Sequence, residues 1–156
     1  MKKVLIALDY DPTVQKVAEN GYSLAKAMNA EVILLHVIAE PTYYSTPEYS
    51  PIVGFTGFTD LSPVQTDSVD ALKNASQDFL NKLKLHLGDT SIHTLIREGD
   101  LALSILKAAK EVQADIIVMG SHSRKWLENI VMGSVTEKVL NDTSVPLFII
   151  PTKKQQ

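Results

Sequence analysis

The sequence predicts an α/β protein with an open, mainly parallel sheet of five strands and helices on both faces. Short apolar runs, such as residues 4–8 and 31–37, alternate with longer segments in which apolar residues recur at helical spacing. The run over residues 4–8 is continuous, without the polar alternation of a half-exposed strand. Such runs are typical of parallel strands that helices cover on both faces.

Composition restricts the class of protein further. Of the 156 residues, 45% are hydrophobic, which is enough for a sizeable core, and we predict a single domain over residues 1–156. The net charge of −3 argues against partners such as nucleic acid or an anionic membrane surface. The absence of cysteine excludes disulfides and thiolate sites and is compatible with a cytoplasmic location, which we expect. The apolar run after Lys3 is too short for a signal peptide or a membrane span.

The first three elements are predicted to form a β-α-β unit. Residues 4–8 form a buried strand that ends at Asp9. Asp11 is expected to cap the first helix with Pro12 at its first position, and the helix runs to about Asn29. The second strand, residues 31–37, is rich in β-branched residues and leucine. A helix between two such strands implies a parallel pair with a right-handed crossover.

Residues 40–66 are predicted to form a long loop, because they contain four prolines and many serines and threonines. Loops of this length in a compact domain are mobile excursions, lids or partner surfaces. The five aromatic residues of this segment favour a packed or lid-like role as strongly as the prolines favour a mobile one. Both interpretations stay open.

The rest of the chain continues the alternation of helices and strands. Gly88 is expected to end the second helix and Asp100 to cap the third. The predicted elements are a helix over residues 67–87, a strand over 92–97, a helix over 101–112, a strand over 116–119, a helix over 135–140 and a strand over 147–150.

The segment from Gly120 to Val135, GSHSRKWLENIVMGSV, connects the fourth strand to the last helix. We expect a left-handed or tight turn at Gly120. Gly133 and Ser134 open the helix, where unpaired amides and the positive end of the dipole attract anions. Ser134 also begins the pattern S-x-x-E with Glu137, so a capping box without any ligand is the alternative interpretation.

This segment resembles the glycine motif of the universal stress protein family, which is a glycine, two residues, a glycine, nine residues and then Gly-Ser or Gly-Thr. Gly120, Gly133 and Ser134 match the motif, whereas Ser123 stands at the middle glycine. The flanking sequences IIVMGSH and GSVTEKVL are also similar to the family. The resemblance covers nearly the whole chain except residues 40–66.

The resemblance implies an adenine nucleotide alpha hydrolase-like fold with strand order 3-2-1-4-5, in which the ligand crevice lies between strands 1 and 4. It implies ATP or AMP as the ligand, with or without Mg²⁺ as the counterion of the phosphates. The protein would be a stress-response sensor or signalling module with at most slow ATP hydrolysis. The cofactor-binding residues that it suggests are Ala7, Asp9, Val37, Met119, Gly120, Ser121, Ser123, Arg124, Gly133, Ser134 and Val135.

The resemblance also assigns roles within this set. Asp9 would bind the ribose, the backbone at Val37 would meet adenine, and Gly133, Ser134 and Val135 would hold phosphate. From the residues alone, Asp9 is equally well a solvated carboxylate that caps the first helix. Ser123 either crowds the phosphates or donates a further hydrogen bond, and Arg124 either reaches the terminal phosphates or is solvated.

Two other functions compete with nucleotide sensing. Some family members lack the glycine motif, so Ser123 leaves open a nucleotide-free interaction protein with an unknown protein partner. In either case we predict a homodimer through Val145 to Ile150, because the apolar fifth strand lies at the sheet edge and family members pair this strand across a two-fold axis.

A phosphatase of the haloacid dehalogenase type is the third possibility. Asp9-Tyr10-Asp11-Pro12-Thr13 resembles its D-x-D-x-T signature, with Asp9 as nucleophile and Asp11 as general acid and base. Ser104 stands where a further aspartate is required, which disfavours this function. The four histidines show no spacing typical of a metal site, so no metal-binding residues are predicted.

Overall fold

A parallel sheet in the order β3-β2-β1-β4-β5 forms the centre of the protein in a computed structural model that describes residues 1–39, 69–121 and 134–152. The predicted fold class and strand order are confirmed. The strands are β1 Lys3–Leu8, β2 Glu31–Ile38, β3 His93–Glu98, β4 Ile116–Gly120 and β5 Leu147–Ile150, and the described helices are α1 Val14–Ala27, α2 Val69–Leu87, α3 Leu101–Val112 and α4 Ser134–Asp142.

Strand β1 is the middle of the sheet and pairs in parallel with β2 on one side and β4 on the other. Its register aligns Leu8 with His36 of β2, and Val4 with Ile116 of β4. Val4 and its neighbours Leu5 and Ile6 are fully buried, which explains the continuous apolar run. The carboxyl ends of β1 and β4 therefore lie side by side at one edge of the layer.

Side chains alternate between the two faces of the sheet and build two separate cores. On the α1/α2 face, Val4, Ile6 and Leu8 pack with apolar residues of α1 and α2. On the α3/α4 face, Leu5 packs with apolar residues of α3 and α4. None of the helices in the described ranges is long and apolar enough to cross a membrane.

Two helix ends agree with the sequence, whereas the start of α1 does not. Asp100 caps α3 by accepting a hydrogen bond from the Leu103 amide at 2.9 Å, and Gly88 follows α2 with a left-handed φ of 69°, both as predicted. Asp11, however, is not the cap of α1. Its carboxylate accepts from the amide of Thr13 at 2.8 Å and from the Thr13 hydroxyl, so it closes a local turn and delays the helix to Val14. The predicted loop over residues 40–66 lies outside the described residues.

Candidate functional site

A crevice opens at the carboxyl ends of β1 and β4, where the chain leaves these neighbouring strands for helices on opposite faces of the sheet. It contains about 570 Å³ of space not filled by protein atoms, part of which is open to solvent. The described residues that line it are Ala7, Leu8, Asp9, Asp11, Thr13, Val14, Val17, Leu35, Val37, Leu101, Ile105, Met119, Gly120, Val135 and Thr136.

The inner wall of the crevice is apolar and comes mostly from the α3/α4 face. Leu35 and Val37 of β2 form one part of it, and Leu101 and Ile105 of α3 form another. Met119 of β4 completes this wall. A cleft lined by apolar side chains from three elements is typical of a small-molecule binding site.

Acidic side chains lie where β1 ends. Asp9 follows the last residue of β1, and its Oδ1 accepts a hydrogen bond from the Tyr10 amide at 2.8 Å. Asp11 is buried and turned into the local turn with Thr13. Asp9 and Asp11 both line the crevice, so a ligand seated there meets carboxylate oxygens that accept hydrogen bonds from hydroxyl groups.

The first turn of α4 forms the opposite border of the crevice. Thr136 is buried, with 1% of its surface exposed, and its hydroxyl donates to the Gly120 carbonyl at 2.9 Å. This bond joins the start of α4 directly to the last residue of β4. The amides of the first helical turn have no partner within the helix, so they and the helix dipole favour an anion at this border.

Comparison with known proteins identifies the family. A model of the universal stress protein family, Usp, matches residues 1–151. The chain belongs to the universal stress protein family.

Two universal stress proteins of Methanocaldococcus jannaschii are among its relatives. MJ0531 is 29% identical, over 99% of this chain and 85% of the relative, and MJ0577 is 28% identical, over 97% and 96%. The solved structure of MJ0577 superimposes with a TM-score of 0.74 and covers 99% of this chain and 98% of that chain. A crystal structure of a universal stress protein in complex with cAMP has a TM-score of 0.61 at 19% identity, and covers 97% and 98%.

In this universal stress protein, six of the residues predicted to bind a cofactor line one crevice. Five of them belong to β1, β2, β4 and α4, and Asp9 directly follows β1. They are Ala7, Asp9, Val37, Met119, Gly120 and Val135. Ser134 is the first residue of α4 and is exposed, and it is absent from the described lining. Ser123, Arg124 and Gly133 lie outside the described residues, so the predictions for them remain untested.

Ser121 is absent from the described lining of the crevice, and the backbone at Gly120 differs from the turn that was expected. The side chain of Ser121 is buried and turned toward the end of β5, where its Oγ accepts from the Thr152 amide at 3.0 Å and lies 3.2 Å from the Thr152 hydroxyl. Gly120 is still part of β4 and is paired with Ile150. The expected left-handed or tight turn at Gly120 is therefore wrong, because the strand pairing continues through this residue.

Some residues around the crevice escaped the sequence analysis. Leu101 and Ile105 fall within the helix predicted over residues 101–112 but received no functional role, and Thr136 was not singled out. The available signal for Thr136 was its spacing of three from Val139, since both are buried on the inward side of α4. A polar residue on the apolar stripe of a helix needs a hydrogen-bond partner, and here the partner is Gly120.

His36 supports the end of β1 from the α1/α2 face. Its ring is fully buried, and Nδ1 lies 2.9 Å from the Leu8 carbonyl, to which it donates in the neutral form. Within the described part of the chain, Nε2 has no hydrogen-bond partner. Burial lowers the pKa of His36 to about 4, although the bond to the Leu8 carbonyl opposes this shift. The side chain is therefore uncharged at neutral pH.

The residues of the phosphatase signature are only partly assembled. Asp9 and Asp11 both line the crevice, but Ser104 is buried at the start of α3, where its hydroxyl donates to the Glu98 carbonyl at 3.3 Å. Across residues 1–39, 69–121 and 134–152, no group of three histidine or acidic side chains is arranged to hold a metal ion.

Proposed function

We propose that the crevice binds an adenine nucleotide, ATP or AMP, and that the protein acts as a sensor or signalling module in a stress response. The observation that carries this proposal is the division of one crevice into an apolar wall and two polar borders. Val37 and Ile105 offer the surface that a purine ring needs, and Asp9 offers acceptors for ribose hydroxyls. The start of α4 offers amides for phosphate.

Membership of the universal stress protein family supports this assignment. The solved cAMP complex is a universal stress protein of the same fold and carries an adenine nucleotide, although its 19% identity limits the likeness to the fold. In our proposal the nucleotide extends from β2, where adenine meets the backbone at Val37, past the ribose at Asp9. Its phosphates lie between Gly120 and α4, where Mg²⁺ can act as their counterion.

The mechanism that we propose is occupancy. A nucleotide in this position would contact β1, β2, β4 and α4 at once, because residues of all four elements line the crevice. Binding would favour the arrangement of these elements that contacts the ligand best and thereby change the surface that they offer to a protein partner. The proposal assigns no catalytic residue.

Calorimetric titration of ATP and AMP against the wild type and Asp9→Asn tests the proposal. The variant retains the shape of the side chain, but an amide replaces the carboxylate. The negative charge and one of the two oxygens that accept hydrogen bonds from the ribose hydroxyls are lost. We expect affinity to fall by roughly tenfold to a hundredfold, since a hydrogen bond to a charged group contributes about 1.5–3 kcal/mol. Asp142→Asn removes the same charge from the exposed end of α4 and should bind as the wild type does. No binding of either nucleotide by the wild type would refute the proposal.

A nucleotide-free homodimer is the second candidate, and the exposure of Phe148 favours it. Phe148 lies on the edge strand β5 and remains 43% exposed, so an apolar side chain and one edge of backbone are available for a second copy. We propose that residues 145–150 form this dimer contact. Phe148→Lys should convert the dimer to a monomer in light scattering at micromolar concentration, whereas a dimer indifferent to the change would rule out this contact.

Dimerisation is compatible with nucleotide binding, so a further measurement must separate the two candidates. Small molecules released on denaturing the purified protein should include ATP or AMP if the crevice is a nucleotide site.

Ser123→Gly restores the residue expected at that position of the family motif. A gain in ATP affinity in this variant would show that the serine side chain crowds the ligand, and a loss would show that its hydroxyl donates to it.

A further inference from the structure

A buried hydroxyl joins the two borders of the crevice. Thr136 and Gly120 both line it, and the Thr136 hydroxyl donates to the Gly120 carbonyl at 2.9 Å although the residues are 16 positions apart. With Thr136 only 1% exposed, water cannot easily replace this bond. The bond therefore fixes the distance between the end of β4 and the first turn of α4.

The end of β4 is itself held firmly from the opposite side. Gly120 pairs with Ile150 of β5, and the Ser121 amide donates to the Ile150 carbonyl at 2.9 Å. The buried Ser121 side chain is joined to Thr152 by the 3.0 Å bond from the Thr152 amide. Because β4 is anchored to β5 in this way, a change at Thr136 should move α4 and leave Gly120 in place.

We propose that Thr136 is a positioning residue, which places the first turn of α4 at the distance from β4 that a phosphate group requires. The proposal rests on the proposed function, since it concerns the phosphate end of the same crevice. Val139, one turn further along α4, is fully buried against the α3/α4 core and holds the rest of the helix. Loss of the Thr136 hydroxyl should therefore displace the first turn without removing α4 from the sheet.

The proposal predicts a selective loss of affinity. Thr136→Val keeps the shape of the side chain and removes the donor, so the Gly120 carbonyl loses its side-chain partner. We expect ATP and AMP to bind roughly tenfold more weakly, because about one hydrogen bond to phosphate is lost. Adenosine has no phosphate and should bind with unchanged affinity. Thr136→Ser retains the donor and should restore ATP affinity to within about twofold of the wild type.

Thr143→Val is the matched control. Thr143 follows α4, and its hydroxyl donates to the Val145 carbonyl at 2.8 Å, so the substitution also removes a hydroxyl donor from a backbone carbonyl. It lies at the other end of the helix and should leave all three affinities unchanged. If Thr136→Val fails to fold, Thr136→Ala takes its place, because it lacks the hydroxyl and adds no bulk beside Gly120.

Two results would overturn the inference while leaving the proposed function intact. One is a Thr136→Val protein that binds ATP as tightly as the wild type does, and the other is an equal loss of ATP and adenosine affinity, which would indicate a general structural role. If the wild type binds neither adenosine nor a nucleotide, the proposed function fails and this inference fails with it.

Discussion

The two faces of the sheet are filled in different ways. On the α1/α2 face, large side chains such as Phe79, Leu80 and Leu83 are fully buried in the core. On the α3/α4 face, α3 and the residues after it bury mostly small side chains, Ala102, Ala108, Ala109 and Ala114, together with Ile105. Most of the apolar wall of the crevice belongs to this second face. We therefore expect large-to-small substitutions to cost more stability on the first face and to weaken ligand binding more on the second.

The aromatic cluster marks the packed face. The rings of Tyr10 and His36 lie 4.7 Å apart in an edge-to-face arrangement, and Phe79 lies 4.7 Å from Tyr10 and 5.3 Å from His36. Burial raises the pKa of Tyr10, and a hydrogen bond to Ser76 opposes this rise. The cluster joins β2 and α2 to Tyr10, which follows Asp9 in the segment after β1.

The largest expected effect comes from emptying the packed face. Phe79→Ala should lower the free energy of unfolding by about 3–5 kcal/mol, because the ring is fully buried and leaves a cavity. Leu101→Ala, at the partly exposed wall of the crevice, should cost less stability and weaken nucleotide binding more. Urea unfolding and ATP titration of both variants test the contrast. Equal effects of the two substitutions on ATP affinity would contradict the division of roles.

The second effect concerns the pH dependence of the packed face. His36 is neutral in the folded protein with a pKa of about 4, whereas an unfolded histidine has a pKa near 6.5. Below pH 6.5 the histidine is protonated in the unfolded chain before it is protonated in the folded protein, which favours unfolding. The part of the free energy of unfolding that depends on neutral His36 is therefore complete above pH 6.5 and is lost as the pH falls toward 4. At about 1.4 kcal/mol per pH unit, the loss amounts to roughly 3 kcal/mol.

Urea unfolding between pH 7 and pH 4 measures this contribution. Carboxylates titrate in the wild type and in His36→Asn alike. The difference between their free energies of unfolding therefore isolates the effect of the histidine. The difference should shrink as the pH falls. His86→Gln provides the control, because it removes an exposed histidine, which pairs with Glu19 at 2.7 Å, from the surface of α2. A wild type and a His36→Asn variant with parallel pH profiles would show that His36 does not carry the effect.

The smallest effect tests how closely α1 packs on the sheet. A Cβ at Gly21 would lie 2.8 Å from Ile6 Cδ1 and 3.1 Å from Val118 Cγ1, and both of these side chains are fully buried in the central strands. Gly21→Ala gains about 1 kcal/mol in helix propensity, but overpacking costs about 1–3 kcal/mol. We expect a net loss of about 1 kcal/mol in urea unfolding with unchanged ATP affinity. As a control, Asn20→Ala changes the exposed neighbour of Gly21 and should destabilise the protein less. A Gly21→Ala protein that is more stable than the wild type would show that α1 does not pack tightly on the sheet.

Much of the fold could be predicted because its signals are local. The continuous run over Val4, Leu5 and Ile6 predicts a strand buried on both faces, and this burial is found. The left-handed residue after α2 and the cap of α3 follow from Gly88 and Asp100. The predicted start of α1 was wrong because the Asp11 carboxylate can accept hydrogen bonds either from the first amides of a helix or from the amide of a local turn. The sequence does not distinguish these two arrangements.

The candidate site divides in the same way. The sequence by itself determined that Asp9 follows one buried strand and that Gly120 ends another. With the strand order that the resemblance implies, it predicted that these residues meet at one crevice, and they do. Only the tertiary structure decided that Thr136 bonds to Gly120 and that Ser121 turns toward Thr152. The partners of these hydroxyls are 16 and 31 positions away, and both pairings depend on how α4 and β5 pack beside β4. Hydrophobic periodicity records the face that a residue occupies, but a side-chain hydrogen bond depends on distances that arise only when separate elements are packed together.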